Sequence, residues 1–402
     1  MRVALYYPWV YLTSGSERLI VELTARSRHD WTIFTNYYDS GHTFPDLKNR
    51  KLVELAPISV ERTLGATARS ALKLIRQKLP LDGFDRLVIL CEGLGDLLTF
   101  RNSGVPCMCI CLTPLRVAFD SAYHARWVAN RSVLYKTCLA AGSAAFRFVD
   151  RFAWSRYRYT VFISSEARRR ALKGGLISGE RCEVVHPGLG FEPSEPSNSF
   201  QRFFLLPGRI MWTKNIELGI RAFQRFRENR RDYADFRLII AGAVDRKSRD
   251  YFQALQQLAG GDDSICFKIS PSDAELSNLY RTCYATLFTA FNEDWGIVPI
   301  ESMAFGKPVI AVNRGGPTES VEHGVSGFLE EPNPAAFAER MLELAGDFEL
   351  AAAMGSRAWR RSQLFTWNRF TNRVDHILDR LDEAPFGVPA LARASTELRG
   401  EQ

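Results

Sequence analysis

The stretch FNEDWGIVPIESMAFGKPVIA (residues 291–311) carries two glutamates, Glu293 and Glu301, that lie eight positions apart. A single helix cannot hold both, because Pro299 has no N–H and its ring clashes with the preceding helical turn. Proline does fit the first turn of a helix. The sequence therefore predicts a helix that begins near Val298, with Glu293 in the loop before the helix and Glu301 in its first turn.

The loop before this helix has the features of an anion site. The upstream segment 285–291 is apolar and is predicted to be a buried strand. Gly296 allows close backbone approach, and the N–H groups of Ile297 and Val298 at the helix start attract negative charge. A phosphate with a carboxylate on either side suits a sugar nucleotide. Taken alone, the two glutamates are more simply explained as a helix-dipole partner and a solvated loop charge.

The rest of the chain alternates strand-like apolar runs with helical patterns, which predicts parallel sheets covered by helices on both faces. A segment rich in Pro, Ser and Asn interrupts this pattern, and the alternation then restarts. We therefore predict an α/β protein with two doubly wound, Rossmann-like domains that face each other across a ligand-binding cleft. The predicted parts are a first domain (1–189), a linker (190–202), a second domain (203–365), a C-terminal helix returning towards the first domain (366–383) and a loose tail (384–402).

Composition limits the class of protein. The 402 residues are 46% hydrophobic and 24% charged, as in soluble globular proteins. No apolar run reaches the ~18 residues of a membrane-spanning helix, and the N-terminal stretch lacks the apolar core and cleavage site of a signal peptide. A cytoplasmic protein is expected. The eight cysteines include a C-x-C-x-C run at 107–111, which is predicted to be buried and reduced because zinc ligands are usually spaced differently.

The net charge of +7 is compatible with a nucleic acid, an anionic lipid or an acidic ligand, and it does not choose among them. The stretch LLPGRIMWTKNIELGIRAF (205–223) follows a predicted strand and places Gly208, Arg209 and Lys214 where a diphosphate would lie. Arginine offers a bidentate fork to phosphate, and lysine a point charge. Two surface cations are the simpler interpretation of such a pair when it stands alone.

The first strand-to-helix turn of the first half, TSGSER (13–18), contains Gly15 and Ser16. These residues could approach a phosphate, or they could form an ordinary loop.

Together these segments resemble the retaining family-four glycosyltransferases of the GT-B fold, and most closely the mannosyltransferase-like members. The resemblance covers nearly the whole chain. Its most specific part is the E-x(7)-E motif with the Gly-Gly-Pro segment that follows it. The matching segments are GSER (15–18), GRIMWTKNIELGIRAF (208–223), ISPSDAELSNLY (269–280), the stretch 293–329 and FTWNRFTNRVDHIL (365–378).

The resemblance implies a role for each candidate residue. Arg209 and Lys214 would stabilise the departing diphosphate, and Glu293 would contact hydroxyls of the transferred sugar. Glu301 would hold the ribose hydroxyls. The remaining donor contacts would be the N–H groups of Ile297 and Val298 for phosphate, the backbone near Ile269 and Ser270 for the base, and further contacts at Gly15, Ser16, Gly208, Asp294 and Gly296.

The implied chemistry uses neither a protein nucleophile nor a metal. The donor reacts on one face with retention, and the leaving phosphate takes the acceptor proton. No cofactor is expected beyond the nucleotide-sugar donor. A GDP-sugar is favoured and a UDP-sugar comes next.

The acceptor side is less determined. CLTPLRVAFD (111–120) is similar to an H-T-P-x-R-x-x-W-D stretch of mannosyltransferase-like members, but Leu112 replaces its His and Phe119 its Trp. Arg116 and Asp120 are retained, and an internal salt bridge would explain them equally well. The acceptor is expected to be a saccharide or a lipid-linked molecule. The acceptor-side candidates are Arg116, Asp120 and His124.

The basic amphipathic segment 66–81 could contact an anionic membrane peripherally, at its inner face, or could be a core-facing helix with a solvated basic face. Three other functions stay open. They are a nucleotide-sugar epimerase of the same fold, a nucleic-acid-binding protein and a non-catalytic sugar-nucleotide sensor. No nucleic-acid motif is present, so nucleic acid is not expected as a partner.

Overall fold

A computed structural model describes residues 1–61, 63–191, 195–228 and 231–383, and these divide into two compact units. The predicted loose tail, 384–402, and residues 192–194 of the predicted linker lie outside the described residues. The first unit comprises Met1–Ile163, Ala167–Val185 and residues 368–383. The second unit comprises Ser164–Glu166 and His186–Trp367.

The first unit is built on a seven-stranded sheet in the order β3-β2-β1-β4-β5-β6-β7, and every pair of neighbours is parallel. Its central strands are buried along their length, because helices cover both faces of such a sheet. The strands are β1 (Arg2–Tyr6), β2 (Asp30–Thr35), β3 (Leu52–Glu54), β4 (Arg86–Cys91), β5 (Cys107–Cys111), β6 (Tyr159–Phe162) and β7 (Cys182–Val184).

Six helices belong to the same stretch of chain, namely α1 (Gly15–Arg26), α2 (Leu64–Arg76), α3 (Arg116–Phe119), α4 (Ser121–Val128), α5 (Val133–Trp154) and α6 (Ser165–Lys173). The stretch 121–153 forms two helices, α4 and α5. The division occurs because Ser132 accepts a hydrogen bond from the N–H of Tyr135 and starts a new helix there.

The second unit repeats the design with a six-stranded parallel sheet in the order β10-β9-β8-β11-β12-β13. The strands are β8 (Phe203–Pro207), β9 (Arg237–Gly242), β10 (Ile265–Ile269), β11 (Ala285–Phe288), β12 (Val309–Val312) and β13 (Gly327–Glu330). Its helices are α7 (Ile216–Arg227), α8 (Arg249–Ala259), α9 (Asp273–Thr282), α10 (Ile297–Ala304), α11 (Pro317–Ser320), α12 (Pro334–Gly346) and α13 (Phe348–Ser362).

The predicted α/β class with two doubly wound halves is confirmed. The edge strand β13 is not evident from the sequence, because it is only four residues long and opens a stretch that is otherwise helical. The last described helix, α14 (Trp367–Asp379), packs within the first unit, where Arg373 makes a bidentate salt bridge to Glu183 with both contacts at 2.6 Å. Within the described ranges, no helix is long and apolar enough to cross a membrane.

A buried lysine holds the chain that enters the second unit. Lys307 is fully buried, and its ammonium donates to the carbonyl oxygen of Ser197 at 3.1 Å and lies 3.5 Å above the ring of Phe200. Burial disfavours the charged form and lowers the pKa of Lys307 to about 8. Between that pKa and the ordinary value of 10.5, the unfolded chain binds more protons than the folded one.

We therefore expect the stability of this protein to depend on pH through Lys307. The free energy of unfolding should rise with pH from about 8 to 10, by roughly 1–3 kcal/mol relative to a Lys307→Met variant, in which this titration is absent. Chemical denaturation of both proteins at a series of pH values measures the difference. Parallel curves would show that Lys307 keeps its ordinary pKa.

Candidate active site

Helix α10 begins where the sequence predicts an anion site. Gly296 is its N-cap residue with φ 78°, a conformation that favours glycine, and a Cβ at this position would lie 2.9 Å from the Phe288 ring. No side chain of the described residues caps this helix. The first N–H groups of a helix have no partner in the preceding turn. The backbone N–H groups at Ile297 and Val298 are therefore suited to bind an anion.

Glu301 requires a correction to the sequence interpretation. The helix begins at Ile297, one residue earlier than predicted, so Glu301 lies in its second turn and does not complement the free N–H groups directly. Its Oε2 accepts a hydrogen bond from the hydroxyl of Tyr280 at 2.7 Å. Tyr280 is buried and stacks on Phe305 with ring centroids 5.6 Å apart. Burial, reinforced by the Glu301 charge, raises the pKa of Tyr280 well above its ordinary value, so the phenol remains a donor.

Lys214 and Glu293 form an ion pair with Nζ and Oε2 3.0 Å apart. Lys214 follows β8 and Glu293 follows β11, and these two strands are neighbours in the sheet. The loops are tied together because the Thr289 hydroxyl donates to the carbonyl of Lys214 at 2.8 Å, and the N–H of Phe291 donates to the carbonyl of Thr213 at 2.7 Å. Sequence reasoning placed both residues at the donor and did not predict their contact.

The Gly-Gly-Pro segment holds the backbone of the Glu293 loop. The N–H of Gly316 donates to the carbonyl of Glu293 at 2.9 Å. A Cβ at Gly316 would lie only 1.9 Å from the carbonyl oxygen of Trp295, so no other residue fits without moving the loop. Gly315 has φ 69°, and a Cβ at this position would lie 2.2 Å from the carbonyl oxygen of Glu293. The loop that carries Glu293 and Asp294 is thus packed against backbone on one side.

Gly208 and Arg209 lie directly after β8. Gly208 has φ 131°, and a Cβ on Gly242 would lie 2.0 Å from its carbonyl oxygen, so these two glycines pack backbone to backbone. Arg209 is exposed, and no carboxylate of the residues in the described ranges pairs with it. Its guanidinium is therefore available to an anionic ligand.

The residues predicted to contact the base lie at the end of β10. Ile269 is 46% exposed, which is unusual for a large apolar side chain at the end of a sheet strand. Ser270 has φ 49°, a left-handed conformation that is uncommon for a residue with a side chain, and its N–H donates to the carbonyl of Gly242. The two residues therefore present an apolar surface and a turned backbone beside Gly242.

In the first unit, Gly15 and Ser16 start α1, and the Ser16 hydroxyl donates to Glu92 at 3.1 Å. Tyr7 donates to the same carboxylate oxygen at 2.6 Å. Glu92 directly follows β4, and sequence reasoning did not select it. Its position after a buried strand was the available signal. Glu17 is buried, which raises its pKa, and it accepts from the N–H of Leu12 at 3.1 Å.

The acceptor-side candidates lie in an internal network. Asp120 pairs with Arg116 at 3.1 Å and with Arg170 at 3.3 Å, and it accepts from the N–H of Tyr123 at 3.0 Å. Burial opposes its ionisation, but these donors and charges together hold the pKa of Asp120 below its ordinary value. Arg170 was not selected from the sequence. The Nδ1 of His124 lies 2.8 Å from the carbonyl oxygen of Val117.

Among the described residues, one group of buried side chains could ligate a metal. A sulfur or carboxylate oxygen from each of Cys91, Asp96 and Cys109 lies within 4.8 Å of the others. Hydrogen bonds already account for Asp96, because it accepts from the thiol of Cys91 at 2.8 Å and from the hydroxyl of Tyr157 at 2.6 Å. Burial raises the pKa of Asp96 well above its ordinary value, so the group is consistent with a neutral hydrogen-bonded core.

Comparisons with known sequences identify the family. The profile of the family described as "Glycosyl transferases group 1" matches residues 191–361. The human protein named alpha-1,3/1,6-mannosyltransferase ALG2 is 34% identical, and the match covers 91% of this chain and 93% of the human one. The mouse protein of the same name is 27% identical with the same coverage.

Solved structures show the same fold. Anabaena Alr3699/HepE, solved in complex with UDP, matches with a TM-score of 0.70 over 94% of this chain and 100% of that chain, at 18% identity. Sucrose-phosphate synthase from Thermosynechococcus elongatus matches with a TM-score of 0.71 over 96% of this chain and 100% of that chain, also at 18% identity.

Proposed function

The chain belongs to the group 1 glycosyl transferases of the GT-B fold, and on that premise we propose that it transfers mannose from GDP-mannose to a hydroxyl of a saccharide or lipid-linked acceptor, with retention of configuration. The observation that carries the proposal is the Lys214–Glu293 ion pair, whose carboxylate lies four residues before the uncapped start of α10. The cation and the free N–H groups suit the diphosphate of a sugar nucleotide, and the carboxylate suits the hydroxyls of its sugar.

Each group has a role in the proposed reaction. The N–H groups of Ile297 and Val298 bind the phosphates, and Arg209 and Lys214 stabilise the negative charge that develops on the diphosphate as it departs. Such groups act mainly on the transition state, because they are already oriented towards the site where charge appears. Glu293 accepts hydrogen bonds from hydroxyls of the sugar and fixes its orientation relative to the diphosphate.

The bond changes balance without a protein nucleophile or a metal. The bond from the anomeric carbon to the diphosphate oxygen breaks, and the bond to the acceptor oxygen forms on the same face. The acceptor proton passes to the departing phosphate oxygen. The two-carboxylate scheme of glycoside hydrolases is therefore not assigned to Glu293 and Glu301.

The choice of donor rests on the relatives. The human and mouse relatives are named mannosyltransferases, which favours GDP-mannose for this chain. A structural neighbour was solved with UDP, so a UDP-sugar is the alternative. A cytoplasmic enzyme that associates peripherally with the inner face of a membrane fits a lipid-linked acceptor.

Thermal unfolding with nucleoside diphosphates tests the proposal. The purified protein is heated with GDP, UDP, ADP or dTDP, first without metal and then with Mg²⁺. A ligand of the native state raises apparent stability by RT ln(1 + [L]/Kd), about 2.7 kcal/mol at a hundredfold excess over Kd. We expect the largest shift with GDP and no requirement for Mg²⁺. No shift with any of the four would overturn the transferase assignment.

Tyr280 provides a test of the proposed contact between Glu301 and the ribose hydroxyls of the nucleotide. We expect Tyr280→Phe to weaken GDP binding about 3- to 10-fold, because Glu301 loses the hydroxyl that orients its carboxylate. Isothermal titration calorimetry measures the change. Tyr284→Phe is the matched control. Tyr284 is also buried, directly before β11, but the hydrogen bond to Glu301 comes from Tyr280. Equal affinity of the Tyr280 variant and wild type would remove Glu301 from the nucleotide site.

A further inference from the structure

Helix α5 has a buried face and, opposite to it, an apolar exposed face. The buried face includes Leu139, Asp150 and Trp154 and packs on the first unit. On the opposite side, six apolar or small residues recur at spacings of four and three, which places them on one face of a helix. This α5 face consists of Leu134, Cys138, Ala141, Ala145, Phe148 and Phe152, and all six are exposed.

The exposure is large for side chains of this kind. Leu134 is 74% exposed, Phe148 64% and Phe152 53%, and the neighbouring Val133 is 78% exposed. The outer face of a surface helix normally carries charged or polar residues. A contiguous exposed apolar surface marks an interaction site. The α5 face therefore has the character of a surface that is covered in the working protein.

The charges around the α5 face indicate what covers it. Residues 116–158 contain eight basic and two acidic residues. The two acids, Asp120 and Asp150, are only 8% and 1% exposed. Arg116 is paired with Asp120 and Arg158 with Asp382, and the remaining basic residues leave this segment with an excess of positive charge. The basic residues are Arg116, Arg126, Arg131, Lys136, Arg147, Arg151, Arg156 and Arg158.

We propose that the α5 face docks on an anionic lipid bilayer, with α5 lying in the plane of the interface and its apolar side chains among the acyl chains. An apolar face bordered by Arg and Lys is the pattern of helices that bind in this way. A second copy of the chain would bring like charges together, which disfavours a dimer through this face. The inference rests on the proposed function in one respect, because a lipid-linked acceptor places the enzyme at a membrane.

The α5 face is a stronger candidate than the segment 66–81, which sequence reasoning selected. Helix α2 has basic residues on its outer side, including Arg69 and Arg76, but its largest exposed apolar side chain within that segment is Leu72, at 48%. A single leucine offers little area to a bilayer, since apolar burial scales with area. Membrane contact through 66–81 remains a prediction.

Flotation with lipid vesicles tests the inference. The full chain is mixed with vesicles of phosphatidylcholine alone or of phosphatidylcholine with phosphatidylglycerol. We expect wild type to float with the mixed vesicles and much less with phosphatidylcholine alone. The double variant Phe148→Ser/Phe152→Ser should bind the mixed vesicles at least about 5-fold less than wild type does. The reason is that the loss of apolar burial outweighs the charge attraction that remains. Arg131→Gln/Lys136→Gln should lose the preference for the anionic lipid.

Phe348→Ser is the matched control, because Phe348 is 51% exposed but lies on α13 in the second unit. It should float as wild type does. Flotation of the double variant equal to wild type would overturn the inference, and so would wild type that does not float. A dimer that dissociates in the double variant would instead assign the face to a second copy. The response to GDP is measured separately, so failure of the proposed donor would not be confused with failure of this surface.

Discussion

Replacing Glu293 with alanine is expected to reduce mannosyl transfer at least 10²–10³-fold, while the affinity for GDP changes less than about 3-fold. The proposed contact of Glu293 is with the transferred sugar. GDP lacks this sugar, so its affinity should not fall when Glu293 is replaced. The carboxylate also neutralises Lys214 at 3.0 Å, and its loss frees the lysine charge for the diphosphate, so any change in GDP affinity should be a slight gain. Turnover assays with GDP-mannose and calorimetry with GDP measure the two quantities.

Glu293→Gln separates charge from shape. The amide keeps the size of the side chain and one acceptor oxygen, so partial activity would indicate that hydrogen bonding to the sugar matters more than charge. Glu343→Ala is the control, because it removes an ion-paired carboxylate from α12, away from the Glu293 loop. If GDP binding and transfer fell together in Glu293→Ala, Glu293 would be a nucleotide ligand and its proposed role would be wrong.

Replacing Arg209 with alanine is expected to lower kcat/KM about 10²–10³-fold, the usual effect of removing one preorganised group that stabilises developing charge. GDP binding should weaken as well, because the diphosphate is present in both ligands. Arg209→Lys should recover only part of the activity, since an ammonium cannot make the bidentate contact of a guanidinium. Steady-state kinetics over a range of donor concentrations separates kcat from KM.

Arg221→Ala provides the comparison, because Arg221 is an exposed arginine on α7 of the same unit. Its removal should leave kinetics and GDP affinity unchanged. An Arg209→Ala enzyme with wild-type kcat/KM would exclude Arg209 from the reaction. Lys214 would then be the cation that stabilises the charge on the departing diphosphate.

The loop-and-helix arrangement around Pro299 was predictable because proline and glycine restrict the backbone locally. The helix start was predicted to within one residue for that reason. Contacts between distant segments were not predictable in the same way. The pairing of Lys214 with Glu293 and of Tyr280 with Glu301 depends on the order of strands in the sheet, which no local pattern specifies.

The first unit shows the same limit. A sequence motif selected Arg116 and Asp120, but their partner Arg170 is fifty residues further along and joins them only because α6 packs beside them. Glu92 was missed because a single glutamate after a strand carries no motif. The apolar outer face of α5 was readable in principle from its spacing of three and four. It was not recognised because an apolar stripe on a helix is normally its buried face.

The two cations after β8 differ in a way that affects how quickly a donor is captured. The charge of Lys214 is balanced by Glu293, whereas Arg209 is exposed without a carboxylate partner among the described residues. Of these two cations, Arg209 therefore contributes more to the long-range attraction of an approaching sugar nucleotide. Dissolved ions screen such attraction between charges that are more than about 8–10 Å apart at ordinary salt concentrations. Salt should thus slow the association of the donor. Lys214 should interact with the diphosphate only after hydroxyls of the sugar have replaced it as the partner of Glu293.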